Sequence, residues 1–336
     1  MTTRYVDPAA SGADDGTSWG DAYETIQQAF DAVAAGDLVY CRGTETLGSI
    51  VDVDFADGDA TSGLVRFIGC NAGGTNDGTR FIMDGNSAVA NCLKITARDY
   101  YLMENFEFKN ATGAGMYFAS SSHSWIFNNC CANNNGSYGF FIGGNGLRNI
   151  FIRCASYSNS NDGFFLGASD RVFFSSSHDN TESGFQLGQA AAAMVVGCLA
   201  YDNGNDGMEE VQYPSTIIGS TINGNTDNAI TVKTSGTILI PAIIGNRVTN
   251  HSGAGDLGID FSTEVVMHGW NYLEDNDTNY ANTSLAYEIL NDGATTNEED
   301  QADTNEGYTS LTDGSEDFNL RSDATLRRTA ISIPLT

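Results

Sequence analysis

The chain has 336 residues, 41% of them hydrophobic, with 38 glycines, four prolines and 43 Asp and Glu against 15 Lys and Arg, a formal charge of −28. That length and apolar content bury a sizeable core and exclude a disordered or collagen-like chain, while the negative charge repels nucleic-acid phosphates and anionic membrane surfaces, so neither is an expected partner. Abundant Gly, Asn, Ser and Thr favour tight turns over long helices, which points to an all-β chain.

The N-terminal stretch "MTTRYVDPAASGADDG" has no basic segment followed by an apolar run, and nowhere does the chain approach the roughly 18 apolar residues of a membrane span. The sequence therefore reads as soluble, virion or extracellular, exported either by a signal since removed or by assembly into a phage particle. Residues 22–37, "AYETIQQAFDAVAAGD", predict one amphipathic helix, with Ile26, Phe30 and Val33 on one face and Gly36 closing it. The seven cysteines, at 41, 70, 92, 130, 131, 154 and 198, show no CxxC pair and no compact disulfide spacing, and are expected as buried free thiols.

From residue 105 onward a repeat dominates. Asn110, Asn135, Asn159, Asn180, Asn203, Asn225 and Asn250 follow one another at intervals of 25, 24, 21, 23, 22 and 25. Five residues before each stands a column led by small side chains: Asn105, Cys130, Cys154, Ser175, Cys198, Ser220 and Gly245. Several residues after each comes Gly115, Gly139, Gly163, Gly184, Gly207, Ala229 or Gly258, opening a short apolar burst such as "GFFIG" or "GFFLG". A period near 23 with strand-like alternation fits one coil of a parallel β-solenoid, coils stacking about 4.8 Å apart. The asparagines are expected as a ladder of side-chain amides bonding the coils above and below, and the glycines supply positive φ or close approach at the corner. Leucine-rich repeats have similar periods but need a leucine framework that this sequence lacks. Open solenoid ends expose unpaired backbone, so the helix is placed across the N-terminal mouth. After Asn276 the period dissolves into an acidic, turn-rich stretch, expected as a C-terminal cap or assembly arm.

Residues 4–46, "RYVDPAASGADDGTSWGDAYETIQQAFDAVAAGDLVYCRGTET", resemble the opening of right-handed parallel β-helix proteins of the pectate-lyase-like superfamily, and the later repeats are similar to that superfamily's coils, so the resemblance spans about residues 4–280. It implies a single-stranded right-handed parallel β-helix of roughly ten coils, divided as 1–45 strand and capping helix, 46–280 β-helix and 281–336 C-terminal segment. It leaves activity open, since the superfamily includes lyases, hydrolases, epimerases and virion proteins without chemistry.

Taking the second residue after each corner glycine, alternation predicts an outward column of Tyr117, Phe141, Phe165, Gln186, Glu209, Thr231 and Asp260. Three aromatics followed by polar and acidic groups form a surface for a sugar chain, with Tyr117, Phe141, Phe165 and Gln186 as glycan-binding residues; the alternative is that a loop, a neighbouring subunit or an inward register covers the rings. Lys233 stands two residues beyond Thr231. The resemblance implies a Lys or Arg base beside Ca²⁺-binding carboxylates, which would make Lys233 the base and Glu209 and Asp260 the catalytic and Ca²⁺-holding acids; the alternative is an inter-coil salt-bridge set. His178, in "SSHDN", reads as structural, and no His, Cys or carboxylate set has zinc spacing.

Two functions remain open: a phage-associated spike or decoration protein that engages a glycan, as a homo-trimer with other virion proteins, and a lyase cleaving a uronate polysaccharide by Ca²⁺-assisted β-elimination, with a glycoside hydrolase as the second enzymatic choice.

Overall fold

A computed structural model describes residues 1–59, 61–143, 146–187, 192–210, 213, 215–232, 242–251, 255–261, 267–269, 271–274, 276, 278–281, 287–288, 308–310 and 317–320. The chain winds as a parallel β-helix with three long sheets, here A, B and C, of 12, 10 and 10 strands. One coil shows the plan: Tyr101–Glu104 lies in sheet A, Phe106–Lys109 in sheet B and Met116–Phe118 in sheet C. Every pairing along the three sheets is parallel, so each residue sits over its equivalent one coil away. The solenoid is a right-handed β-helix, as the sequence predicts.

Alternation explains the wall. In Phe106–Lys109 the two phenylalanines are buried while Glu107 and Lys109 face outward, and the same in-out pattern recurs in strand after strand. Inward residues stack on themselves: the rings of Phe140, Phe164 and Phe185 follow at 4.8 and 4.9 Å, and Phe127 lies 4.9 Å from Phe151. All seven cysteines are buried and free. Cys130, Cys154, Ser175 and Cys198 occupy consecutive coils, with the Cys154 amide donating to Ser175 Oγ (3.0 Å) and the Ser175 amide to Cys198 Sγ (3.5 Å).

The N-terminal helix is shorter than its hydrophobic pattern, Ile26–Ala32, because Thr25 caps it in a capping box with Gln28 and Val33 turns to extended backbone. Ile26, Phe30 and Val33 are nonetheless all buried, and Phe30 stacks on Phe67 at 4.2 Å.

At the corner between sheets B and C the ladder runs through Asn135, Asn159, Asn180, Asn203 and Asn225. From Asn159 onward each Oδ1 accepts from the preceding asparagine's side chain, at 2.9, 2.9, 3.0 and 2.8 Å, and from its backbone N–H as well. Asn110 and Asn250 are not rungs. Both have positive φ, 57° and 64°, and stand one residue early. The rungs in their coils are Ala111, whose amide donates to Asn135 Oδ1 (3.0 Å), and His251, which continues the ladder to Asn276. The same one-residue offset affects Asn105 and Gly245, whose φ values of 59° and 65° make them the turn residues between sheets A and B. Asparagine is favoured both in the left-handed turn and as an amide rung, so residue type alone does not separate adjacent columns.

Candidate functional site

The outer face of sheet C carries one continuous column. In register it runs Asp52, Lys94, Tyr117, Phe141, Phe165, Gln186, Glu209, Thr231, Asp260. Its inward neighbours, Met116, Phe140, Phe164, Phe185, Met208, Ile230 and Ile259, are all fully buried, which fixes the opposite orientation of the column. Glu209 and Asp260 are half-buried, as are the three aromatics and Gln186, while Thr231 is buried. Lys233 lies outside the described residues.

Lys94 was not apparent from the repeat because its coil has Cys92 at the corner where later coils have glycine. The Leu93–Lys94–Ile95 alternation is the local signal that marks it as outward. Its Nζ lies 2.5 Å from Asp52 Oδ2, whose other oxygen accepts from Thr96 Oγ1 at 2.8 Å.

The rings do not form a row of open faces. Phe141 is sandwiched between Tyr117 (5.3 Å, 14°) and Tyr138 (4.5 Å, 18°), and Phe165 meets Phe141 at 4.9 Å and Tyr138 edge-on at 5.2 Å. Tyr138, immediately before the corner glycine, is a fourth ring that alternation along the strand does not reveal. The cluster therefore presents ring edges and two tyrosine hydroxyls.

Beyond it the site turns acidic. Glu209 Oε2 receives Gln186 Nε2 at 3.4 Å and Ser183 Oγ at 3.5 Å, so the carboxylate leans toward the preceding coil and away from Asp260. Asp162 is buried, and its carboxyl is pushed up to about 7, by burial first and then by the charges of Glu209, Glu182 and Asp206, against the Ser183 amide that it accepts at 2.9 Å. Asp206 accepts the Asn228 amide at 3.0 Å in the equivalent way, so these corner carboxylates serve the turn.

Glu209 and Asp260 stand on the same outward column with Thr231 on the rung between them, so their backbones lie about 9.6 Å apart. Among the described residues no three His, Cys, Asp or Glu side chains are grouped to hold a metal.

His178 lies on the outer face of sheet B, stacked between Tyr157 (5.0 Å) and Tyr201 (4.5 Å), with Nδ1 2.7 Å from Asp179 Oδ2. His251 is a ladder rung: Nε2 accepts from Asn225 and Nδ1 bonds Asn276 Oδ1 at 3.1 Å, and burial pushes its pKa down to about 4.

The family model described as "Right handed beta helix region" matches residues 68–208. Among solved structures the chain is similar to pectate lyase Pel9A, with a TM-score of 0.76 and 17% identity over 97% of this chain and 90% of that one. It is similar also to an alginate lyase from Paenibacillus sp. str. FPU-7 (TM-score 0.63, 12% identity, 78% and 95%) and to a rhamnogalacturonan lyase (TM-score 0.56, 14% identity, 97% and 98%). No curated protein matches in sequence. The molecule thus has the right-handed parallel β-helix fold, which it shares with a pectate lyase, an alginate lyase and a rhamnogalacturonan lyase. No helix among the described residues is long and apolar enough to cross a membrane.

Proposed function

We propose that this protein engages a polysaccharide laid along the outer face of sheet C. One observation carries the reading: Lys94, Tyr117, Phe141, Phe165, Gln186 and Glu209 follow one another without a break, one residue per coil. A cation, three rings, an amide and a carboxylate thus recur at about 4.8 Å, a rise on the order of one sugar unit. Ring edges and tyrosine hydroxyls offer apolar and hydrogen-bonding contact, while Lys94 and Gln186 offer donors to hydroxyl or carboxylate oxygens. The names of the similar lyases support a glycan as the ligand class.

The setting we assign is a glycan-engaging spike or decoration component of a phage particle, a role that requires binding and no cleavage. β-Elimination with Lys233 as base is a separate reading, and binding along the column does not depend on it.

Affinity electrophoresis through gels containing alginate, pectate or neutral glycans tests the proposal. At least one glycan is expected to retard the protein, with Tyr117→Ala and Gln186→Ala each weakening the interaction about tenfold, and Tyr201→Ala on sheet B leaving it unchanged. Migration unaffected by every glycan overturns the reading. Unsaturated products that disappear in Lys233→Ala would establish the lyase instead.

A further inference from the structure

The outer face of sheet A differs from the other two. Between Ile126–Asn128 and Ala242–Ile244 six strands pair in parallel register, each with one buried central residue and two outward ones. Their outward positions include Ile150, Ile152, Phe173, Val196, Ile218 and Ile244, all half-buried. Only Asn128, Arg171 and Thr216 are polar among them, and none is an aspartate or glutamate. At the adjoining turn and the edge of sheet B, Phe174 is 66% and Leu199 45% exposed. Outward positions on sheet B in the same coils are instead residues such as Tyr157, His178, Tyr201 and Asn223.

Sheet B in these coils also has no outward Asp or Glu, but its outward positions are largely polar or aromatic, and only sheet A joins the absence of acid to an unbroken run of apolar side chains. A contiguous apolar strip of this kind marks an interaction surface. We propose that the outer face of sheet A is the contact between two copies of this chain, related by a two-fold axis. Charge selects the occupant: two chains of −28 repel wherever acids face each other, and this strip is a face along which they approach without opposing carboxylates. Area is consistent with it. Six rungs and the flanking turn measure roughly 29 by 17 Å, about 500 Å² per copy and ~1,000 Å² in total, the threshold of a specific interface. Shape selects the symmetry, because a single flat self-complementary patch closes as a two-fold dimer, whereas a three-fold ring requires two different patches on each copy. Sheet C faces elsewhere, so the dimer leaves both outward columns open and presents two of them to one ligand.

Sedimentation equilibrium of the full chain over a wide dilution series tests the proposal. A particle of twice the chain mass is expected, and Ile150→Lys and Ile218→Lys, each entering the contact twice, are expected to weaken association about 100-fold. Ser176→Lys on sheet B is expected to change nothing. Where a lysine variant loses its cooperative melt, Val196→Thr, which preserves shape, replaces it with an expected weakening of about tenfold. Dimers indifferent to every one of these sheet A substitutions overturn the proposal. So does a single-chain mass at every concentration, and maleimide labelling of Ile218→Cys then assigns the face: a blocked thiol means the chain covers it with its own residues, and an open thiol on a protein that floats with phosphatidylcholine vesicles means lipid.

Discussion

Asn180 spends its whole amide on its neighbours. Oδ1 accepts the backbone N–H (3.2 Å) and the side-chain amide (2.9 Å) of Asn159, while Nδ2 donates to Asn203 Oδ1 at 3.0 Å and to the Ser156 carbonyl at 3.3 Å. Asn180→Ala leaves the buried Asn159 backbone N–H without its acceptor, while Asn159 Nδ2 keeps the Ala132 carbonyl and Ser156 Oγ, a cost of about 2 kcal/mol. Denaturant unfolding is expected to show a lowered midpoint with an unchanged slope; a midpoint equal to wild type would mean the ladder is not a source of stability. His251 occupies the equivalent slot because a neutral imidazole protonated at Nδ1 reproduces the pattern of an amide, one acceptor and one donor. A lone Asn in "TNHSG" gives no hint that the rung is its neighbour.

At the scale of one coil, the corner glycines between sheets B and C answer to space and not to backbone twist. Gly163 has no positive φ, yet a Cβ there would collide with Ser177 Oγ and sit 2.9 Å from both Asn180 Nδ2 and Gly184 O. The next coil approaches too closely for any side chain. Gly163→Ala is therefore expected to cost about 3 kcal/mol, whereas Gly48→Ala, with nothing within 4 Å of its Cβ, is expected to be near neutral. Paired thermal melts distinguish these outcomes, and equal melting temperatures would exclude close packing as the reason for the corner glycines.

Across the whole molecule, buried titratable groups set the response to pH. Burial raises Glu45, Asp162 and Asp170 from 4.5, 3.8 and 3.8 to about 7 each, so the folded chain holds protons that the unfolded chain has lost between about pH 4 and 7. Stability from these groups is full below the unfolded values and is lost as pH rises through 7, on the order of 3 kcal/mol per carboxyl. His251 works oppositely: lowered from 6.5 to about 4, it destabilises the fold as pH falls through that window. The exposed turn carboxylates Asp15, Asp59 and Asp77 are also lowered by hydrogen bonds, an effect that solvent screens. Three strongly raised carboxyls against two histidines lowered by burial, His251 and His268, with a −28 chain repelling itself more strongly as it deprotonates, predict a higher melting temperature at pH 5 than at pH 8. Asp170→Asn should flatten that slope and His251→Asn should steepen it; a melting temperature that climbs with pH would contradict the assignment.

The solenoid, its period, its N-terminal cap and the outward column on sheet C were all legible in the chain, because a repeat near 23 and an in-out alternation are written locally, residue beside residue. Which of two adjacent asparagines is the rung, that Phe141 has both faces covered, that Glu209 leans away from Asp260, and that sheet A turns a row of Ile and Val outward were decided only by the fold. Each depends on side chains a full coil apart, brought together at one rung by the winding, and a shift of a single residue exchanges one column for its neighbour.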